Sequence, residues 1–189
     1  MTDGPHDAVN WRVVFAGLLL AASLWILALG GFQPGGPGTS SAPEWHVNVN
    51  GGFKIRPPPE WTRRTDDRDG TQIAPAVQPT TGFATLIVSV RLASDPDPMA
   101  YLTQAAARPP AGPVRELKWL SLDKIVMGDG REGALGEFAQ VYRGAPVHGW
   151  MAIAVRDGRL VQAVATVPAD RAAAWGPTLI ASLRSLQAL

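Results

Sequence analysis

Residues 83–92 read FATLIVSVRL and form the strongest β-strand pattern in the chain. The segment is rich in β-branched residues and almost continuously apolar, which is typical of a strand covered on both faces. We therefore predict a central strand here.

The sequence after this strand predicts a helix and then a meander. Asp97 is a candidate N-cap and Pro98 suits the first helical position, so a helix is expected over 98–107. Short Gly- or Pro-containing turns then separate apolar runs and force antiparallel neighbours, which predicts strands at 115–127, 134–143, 147–156 and 160–167. A closing helix is expected over 170–189, and Gly176-Pro177 is expected either to kink it or to mark the start of its second part. Its apolar face is expected to hold Trp175, Leu179, Leu183 and Leu186.

The sequence before the central strand predicts a hairpin and a loop. Residues 45–49 and 53–56 alternate apolar and polar, and Asn50-Gly51-Gly52 between them offers the positive φ of a tight turn. Three prolines at 57–59 end the second strand. Trp61 is expected at one edge of the core, followed by a solvated polar loop at 62–70. The sum is an α+β domain over 45–189, an antiparallel β-sheet with packed helices.

An apolar segment precedes this domain. Residues 13–31 carry neither charge nor proline and would form a helix of about 28 Å, close to the hydrocarbon thickness of a bilayer. We predict a transmembrane helix at 13–31, a cytoplasmic tail at 1–12 and a flexible linker at 32–44. Arg12 precedes the segment and no Lys or Arg follows before Lys54, so the N-terminus is expected inside and the domain outside, periplasmic or extracellular.

A cleaved signal peptide is the alternative. The apolar run is long for a signal sequence, and the preceding residues are not basic. Small residues at 28–30 and 40–42 would nevertheless suit a signal peptidase, so cleavage stays open.

Composition excludes several classes of protein. The chain has 189 residues, a net charge of +1 and no cysteine. A disulfide, a thiolate metal site, a cysteine nucleophile and an acylated-cysteine anchor are therefore excluded. The small net charge gives no strong field for nucleic acid or for anionic lipid.

Two motifs look functional but have simpler interpretations. Residues 128–133 match GxGxxG literally, yet they join two predicted strands, so a hairpin turn is expected in place of a dinucleotide site. Residues 65–70 partly match a calcium loop, but Thr65 replaces the first acid and Ala76 stands where a Glu is required. We expect a solvated loop there.

The domain offers few candidate catalytic residues. His46 and His148 have no acidic partner at ligand spacing, so exposed strand histidines are expected, although one acid–base role stays open. Of the tryptophans, most are expected in the core and one or two in a binding patch; they are Trp45, Trp61, Trp119, Trp150 and Trp175. We predict no catalytic, cofactor-binding or metal-binding residue.

The order of these parts resembles the PsbP/DcrB-like family. The resemblance rests on the motif at 52–56, on Pro59-Glu60-Trp61, on the strand at 83–92, on the helix start from Asp95-Pro96 to Tyr101-Leu102 and on the closing helix through 180–183. It implies a small α/β/α sandwich, exported or membrane-tethered, that binds or scaffolds and is not an enzyme. The expected function is that of a membrane-anchored accessory or assembly subunit in a bacterial cytoplasmic membrane, which binds a larger membrane complex through both the transmembrane helix and the outward domain. An extracytoplasmic domain that binds a small molecule or lipid is the alternative.

Overall fold

The computed structural model describes residues 44–66, 70–80 and 82–189. The predicted tail, transmembrane helix and all but the last residue of the linker lie outside these residues. No helix among the described residues is both long and apolar enough to cross a membrane.

Seven antiparallel strands form the main sheet, in the order β3-β4-β5-β9-β8-β7-β6. Their bounds are β3 Trp61–Asp66, β4 Gly70–Pro75, β5 Thr85–Leu92, β6 Val114–Val126, β7 Glu132–Tyr142, β8 Ala145–Arg156 and β9 Arg159–Pro168. The predicted central strand is therefore an interior strand, and the predicted meander β6 to β9 is confirmed.

A second, three-stranded sheet has the order β1-β2-β10, with β1 His46–Asn48, β2 Phe53–Ile55 and β10 Gln187–Ala188. The predicted hairpin at 45–56 is confirmed, with the positive φ at Gly52. The amide N–H of Leu189 donates to the carbonyl oxygen of Gly52 at 2.8 Å, which joins the C-terminus to this hairpin.

Helices cover both faces of the main sheet. Helix α1, Pro98–Ala106, begins as predicted, because an Asp97 carboxylate oxygen accepts from the Met99 amide at 2.9 Å. Helix α2, Ala172–Arg184, follows a 3-10 turn at Ala169–Arg171. Successive residues of β8 face opposite ways: Trp150 packs in the core with Leu179 of α2, and Met151 packs in the core with Leu102 of α1. The predicted α+β class is thus confirmed.

Two predictions about the elements are wrong. Of the polar loop predicted at 62–70, residues 62–66 are instead part of strand β3 and Gly70 begins β4, because β3 is an exposed edge strand that needs no apolar alternation. The closing helix ends at Arg184, and buried Leu186 belongs to the turn into β10.

Candidate functional site

An open cleft of about 300 Å³ lies where the start of β3, the end of β4 and α2 meet. We call it the tryptophan cleft. It is lined by Pro58, Pro59, Glu60, Trp61, Pro75, Ala76, Val77, Trp175, Thr178 and Leu179.

Two tryptophans line this cleft and contact each other. Trp61 begins β3 and Trp175 lies on α2, and their rings meet edge to face with centroids 5.9 Å apart. Both are half-buried and pack against the core beneath, so they are held in place while part of each ring stays accessible. The predicted position of Trp61 at an edge of the core is confirmed.

The turn before Trp61 fixes one wall. The Trp61 amide donates to the carbonyl oxygen of Pro58 at 3.1 Å, and the Ala76 amide donates to that of Glu60 at 3.2 Å. Glu60 has φ 65°, a left-handed conformation that non-glycine residues seldom adopt. Prolines on both sides of the cleft restrict the backbone further, so little conformational entropy would be lost on binding.

The chemistry of the cleft favours an apolar occupant. Tryptophan, proline and leucine supply most of the lining, and Val77 at the rim is 82% exposed. Glu60 is the one ionisable residue among the lining residues. Tryptophans that pack against a core and keep part of the ring exposed are often anchor residues of protein–protein interfaces.

Most of the tryptophans contribute to the core, as predicted: Trp150 lies within it, and Trp61, Trp119 and Trp175 pack against it. Of the five, Trp150 alone is buried, at 3% exposure, and the other four are half-buried. The sequence placed Trp175 correctly on the closing helix but missed the strand that Trp61 begins, and it could not bring the two rings together, since 113 residues lie between them.

The prediction that His46 is an exposed strand histidine is wrong on exposure, although it does lie on a strand. Its side chain is 11% exposed, and its Nε2 atom lies 3.6 Å from a carboxylate oxygen of Asp66 and 3.2 Å from the hydroxyl of Thr71. Burial lowers the pKa of His46 below its ordinary 6.5, with Arg63 adding to this and Asp66 opposing it. Asp66 and Thr71 contact the same ring nitrogen, whereas a catalytic triad places the acid and the hydroxyl on opposite nitrogens.

His148 likewise has an acidic partner. Its Nε2 atom lies 2.6 Å from a carboxylate oxygen of Glu137 on the neighbouring strand, and its ring packs on Trp150 with centroids 4.7 Å apart. Cross-strand pairing produces this contact, which sequence spacing could not reveal. Neither histidine lines the tryptophan cleft.

The two motifs have structural roles where they are described. Residues 128–131 lie in the predicted β6–β7 turn, with Gly130 at φ 81°, and Glu132 and Gly133 already pair with β6 as the start of β7. The calcium-loop residues 67–69 lie outside the described residues. Within the described ranges, no three His, Asp or Glu side chains are grouped closely enough to hold a metal.

Comparison with solved structures identifies the fold. Cyanobacterial PsbP (CyanoP) from Synechocystis matches 86% of this chain and 99% of its own at a TM-score of 0.57 and 13% identity. The Ran-binding protein Mog1p of Saccharomyces cerevisiae matches 77% of this chain and 94% of its own, at a TM-score of 0.51 and 12% identity. A putative regulator of unknown function from Pseudomonas aeruginosa matches 69% of this chain and 98% of its own, also at a TM-score of 0.51 and 12% identity.

These likenesses define the class as a PsbP-like fold. At 12–13% identity they establish the fold alone. No protein-family model matches the sequence, and no curated protein matches it either.

Proposed function

We propose that this chain is a non-enzymatic accessory or assembly subunit that binds a larger membrane protein complex through the tryptophan cleft. In this proposal residues 13–31 span a bacterial cytoplasmic membrane with the N-terminus inside, and the PsbP-like domain lies outside. The observation that carries the proposal is the pair of half-buried tryptophans, Trp61 and Trp175, under an exposed Val77.

The physical basis is the energetics of anchor residues. Truncation of a tryptophan at the centre of an interface costs about 2 kcal/mol or more, whereas rim contacts contribute little. Packing against the core already orders both rings, so binding loses little side-chain entropy. Yeast Mog1p, which has a similar fold, is a Ran-binding protein, so this fold serves protein binding in at least one other chain.

The experiment is affinity purification from native membranes in a gentle detergent, followed by mass spectrometry. It compares the wild type with Val77→Glu at the rim of the cleft and with the control Leu92→Glu. Leu92 is 86% exposed, lies at the C-terminal end of β5 and does not line the cleft. Both substitutions lie on the surface, so the fold should tolerate them. We expect a stoichiometric companion with the wild type and Leu92→Glu, and its loss with Val77→Glu. Purification of the wild type alone, from membranes whose complexes all survive deletion of the gene, would refute the proposal.

A small-molecule or lipid-binding domain is the second candidate. The cleft volume of about 300 Å³ lies at the lower end of the range for ligand pockets, about 300 to 1,000 Å³. Native mass spectrometry of the same purified protein separates the two. A retained small molecule that is lost in Trp61→Ala would favour this candidate.

A further inference from the structure

The three-stranded sheet has one buried and one outward face. Alternation along β1 and β2 turns His46, Asn48, Phe53 and Ile55 inward. The outward face, which we call the basic face, is made by Trp45, Val47, Val49, Lys54 and Arg56, with exposed Arg159 beside Gly52 at the turn.

The basic face combines exposed apolar groups with cations. Val47 is 45% and Val49 is 78% exposed, both in or next to an edge strand. The Lys54 ammonium lies 4.7 Å from the centroid of the Trp45 ring, and the Arg56 guanidinium lies 4.5 Å from it. The indole is therefore flanked by two positive charges.

The backbone beneath Arg56 is fixed to α2. The Arg56 amide donates to the Ser185 hydroxyl at 2.8 Å, and the Arg56 carbonyl oxygen accepts from the Ser182 hydroxyl at 2.5 Å. The basic face is thus presented by a rigid element.

We infer that the basic face docks on the surface of an anionic lipid bilayer. Tryptophan prefers the level of the lipid headgroups, and each Lys or Arg near an anionic membrane adds about 1 kcal/mol of attraction. The net charge of +1 does not show this local arrangement, in which Lys54 and Arg56 stand together beside Trp45, with Glu44 the one acidic residue next to it in sequence.

The position where the chain leaves the described domain supports the same occupant. Glu44 directly precedes Trp45 of the basic face. The inference rests on the proposed transmembrane helix at 13–31 and on the predicted linker at 32–44, which as a coil would reach about 20 Å. A tether of that length would hold this face within reach of the headgroups.

The experiment uses the absence of cysteine from the chain. A single cysteine, Val49→Cys, is labelled with a fluorophore in the full chain and reconstituted into phosphatidylcholine vesicles with or without phosphatidylglycerol. The control label is Gln104→Cys, an exposed position on α1. Helix α1 packs on one face of the main sheet, and the three-stranded sheet packs on the other. We expect a headgroup-level lipid quencher to act on position 49 and not on 104, only with phosphatidylglycerol, and less at high salt.

Charge variants test the cause. Lys54→Gln with Arg56→Gln should reduce the quenching at position 49 several-fold, whereas Lys118→Gln with Arg143→Gln, exposed cations elsewhere, should not. Equal quenching at positions 49 and 104 would overturn the inference. So would a crosslink from position 49 to a protein in native membranes when purified vesicles give no quenching.

Carbonate extraction of the same samples separates this inference from the proposed function. A chain that resists carbonate extraction but shows no quenching at position 49 is consistent with the proposed transmembrane helix and refutes docking of the basic face. A chain that carbonate extracts refutes the transmembrane helix. Flotation of that chain with phosphatidylglycerol vesicles, dependent on Lys54 and Arg56, would then support docking alone, and its absence would refute docking too.

Discussion

At the scale of single residues, His46 shows how the fold changes a side chain's chemistry. The sequence alone does not reveal its acidic partner, which is 20 residues away. In the structure it lies at the junction of the two sheets, beside Asp66 and Thr71. The Asn48 side-chain amide also donates to Asp66, at 2.7 Å, so the carboxylate serves several donors at once.

This environment predicts a pH dependence of stability. Because burial lowers the pKa of His46 in the folded state, the unfolded chain binds the proton more tightly. The contribution of His46 to the free energy of unfolding is complete above 6.5, its pKa in the unfolded chain. It is lost as the pH falls through the lower pKa of the folded state. Denaturant unfolding in detergent micelles at pH about 5 and about 7.5 checks this, and the difference in free energy of unfolding between the two pH values should shrink in His46→Gln. The same difference should grow in Asp66→Asn, since Asp66 raises the pKa of His46 and so opposes the effect of burial. An unchanged difference in His46→Gln would contradict this role for His46.

At the scale of elements, strand pairing explains which predictions held. The meander was predictable because short turns and apolar runs are both local signals, as at Asp157-Gly158 between β8 and β9. The β3–β4 hairpin was missed because β3 is polar and exposed along nearly its whole length. The tryptophan cleft could not be predicted, since it depends on how α2 lies against the ends of two strands.

A close contact within the pairing of β7 and β8 gives the second prediction. Gly149 pairs with Phe138, and a methyl group on Gly149 would lie 2.4 Å from the Phe138 ring and 3.0 Å from the carbonyl oxygen of Ala165. Gly149→Ala should therefore destabilise the fold by about 1 to 3 kcal/mol through overpacking.

The matched control is a double-mutant cycle with Phe138→Leu, measured by denaturant unfolding. The smaller side chain relieves the contact, so the double variant should lose less stability than the two single variants combined. Simple additivity would show that the ring does not limit this position.

At the scale of the whole molecule, the two proposed surfaces belong to different parts of the domain. The tryptophan cleft lies between main-sheet strand ends and α2, and the basic face lies on the small sheet. A subunit built in this way could rest on lipid through one surface and hold a protein through the other.

The most direct test of the central claim is site-specific photocrosslinking in native membranes. A photoreactive amino acid replaces Val77 at the rim of the tryptophan cleft, or Gln104 on α1 as the control. We expect one discrete protein adduct from position 77, lost in a Trp175→Ala background, and none from position 104. The absence of an adduct at position 77, or the same adducts from both positions, would contradict protein binding through the cleft.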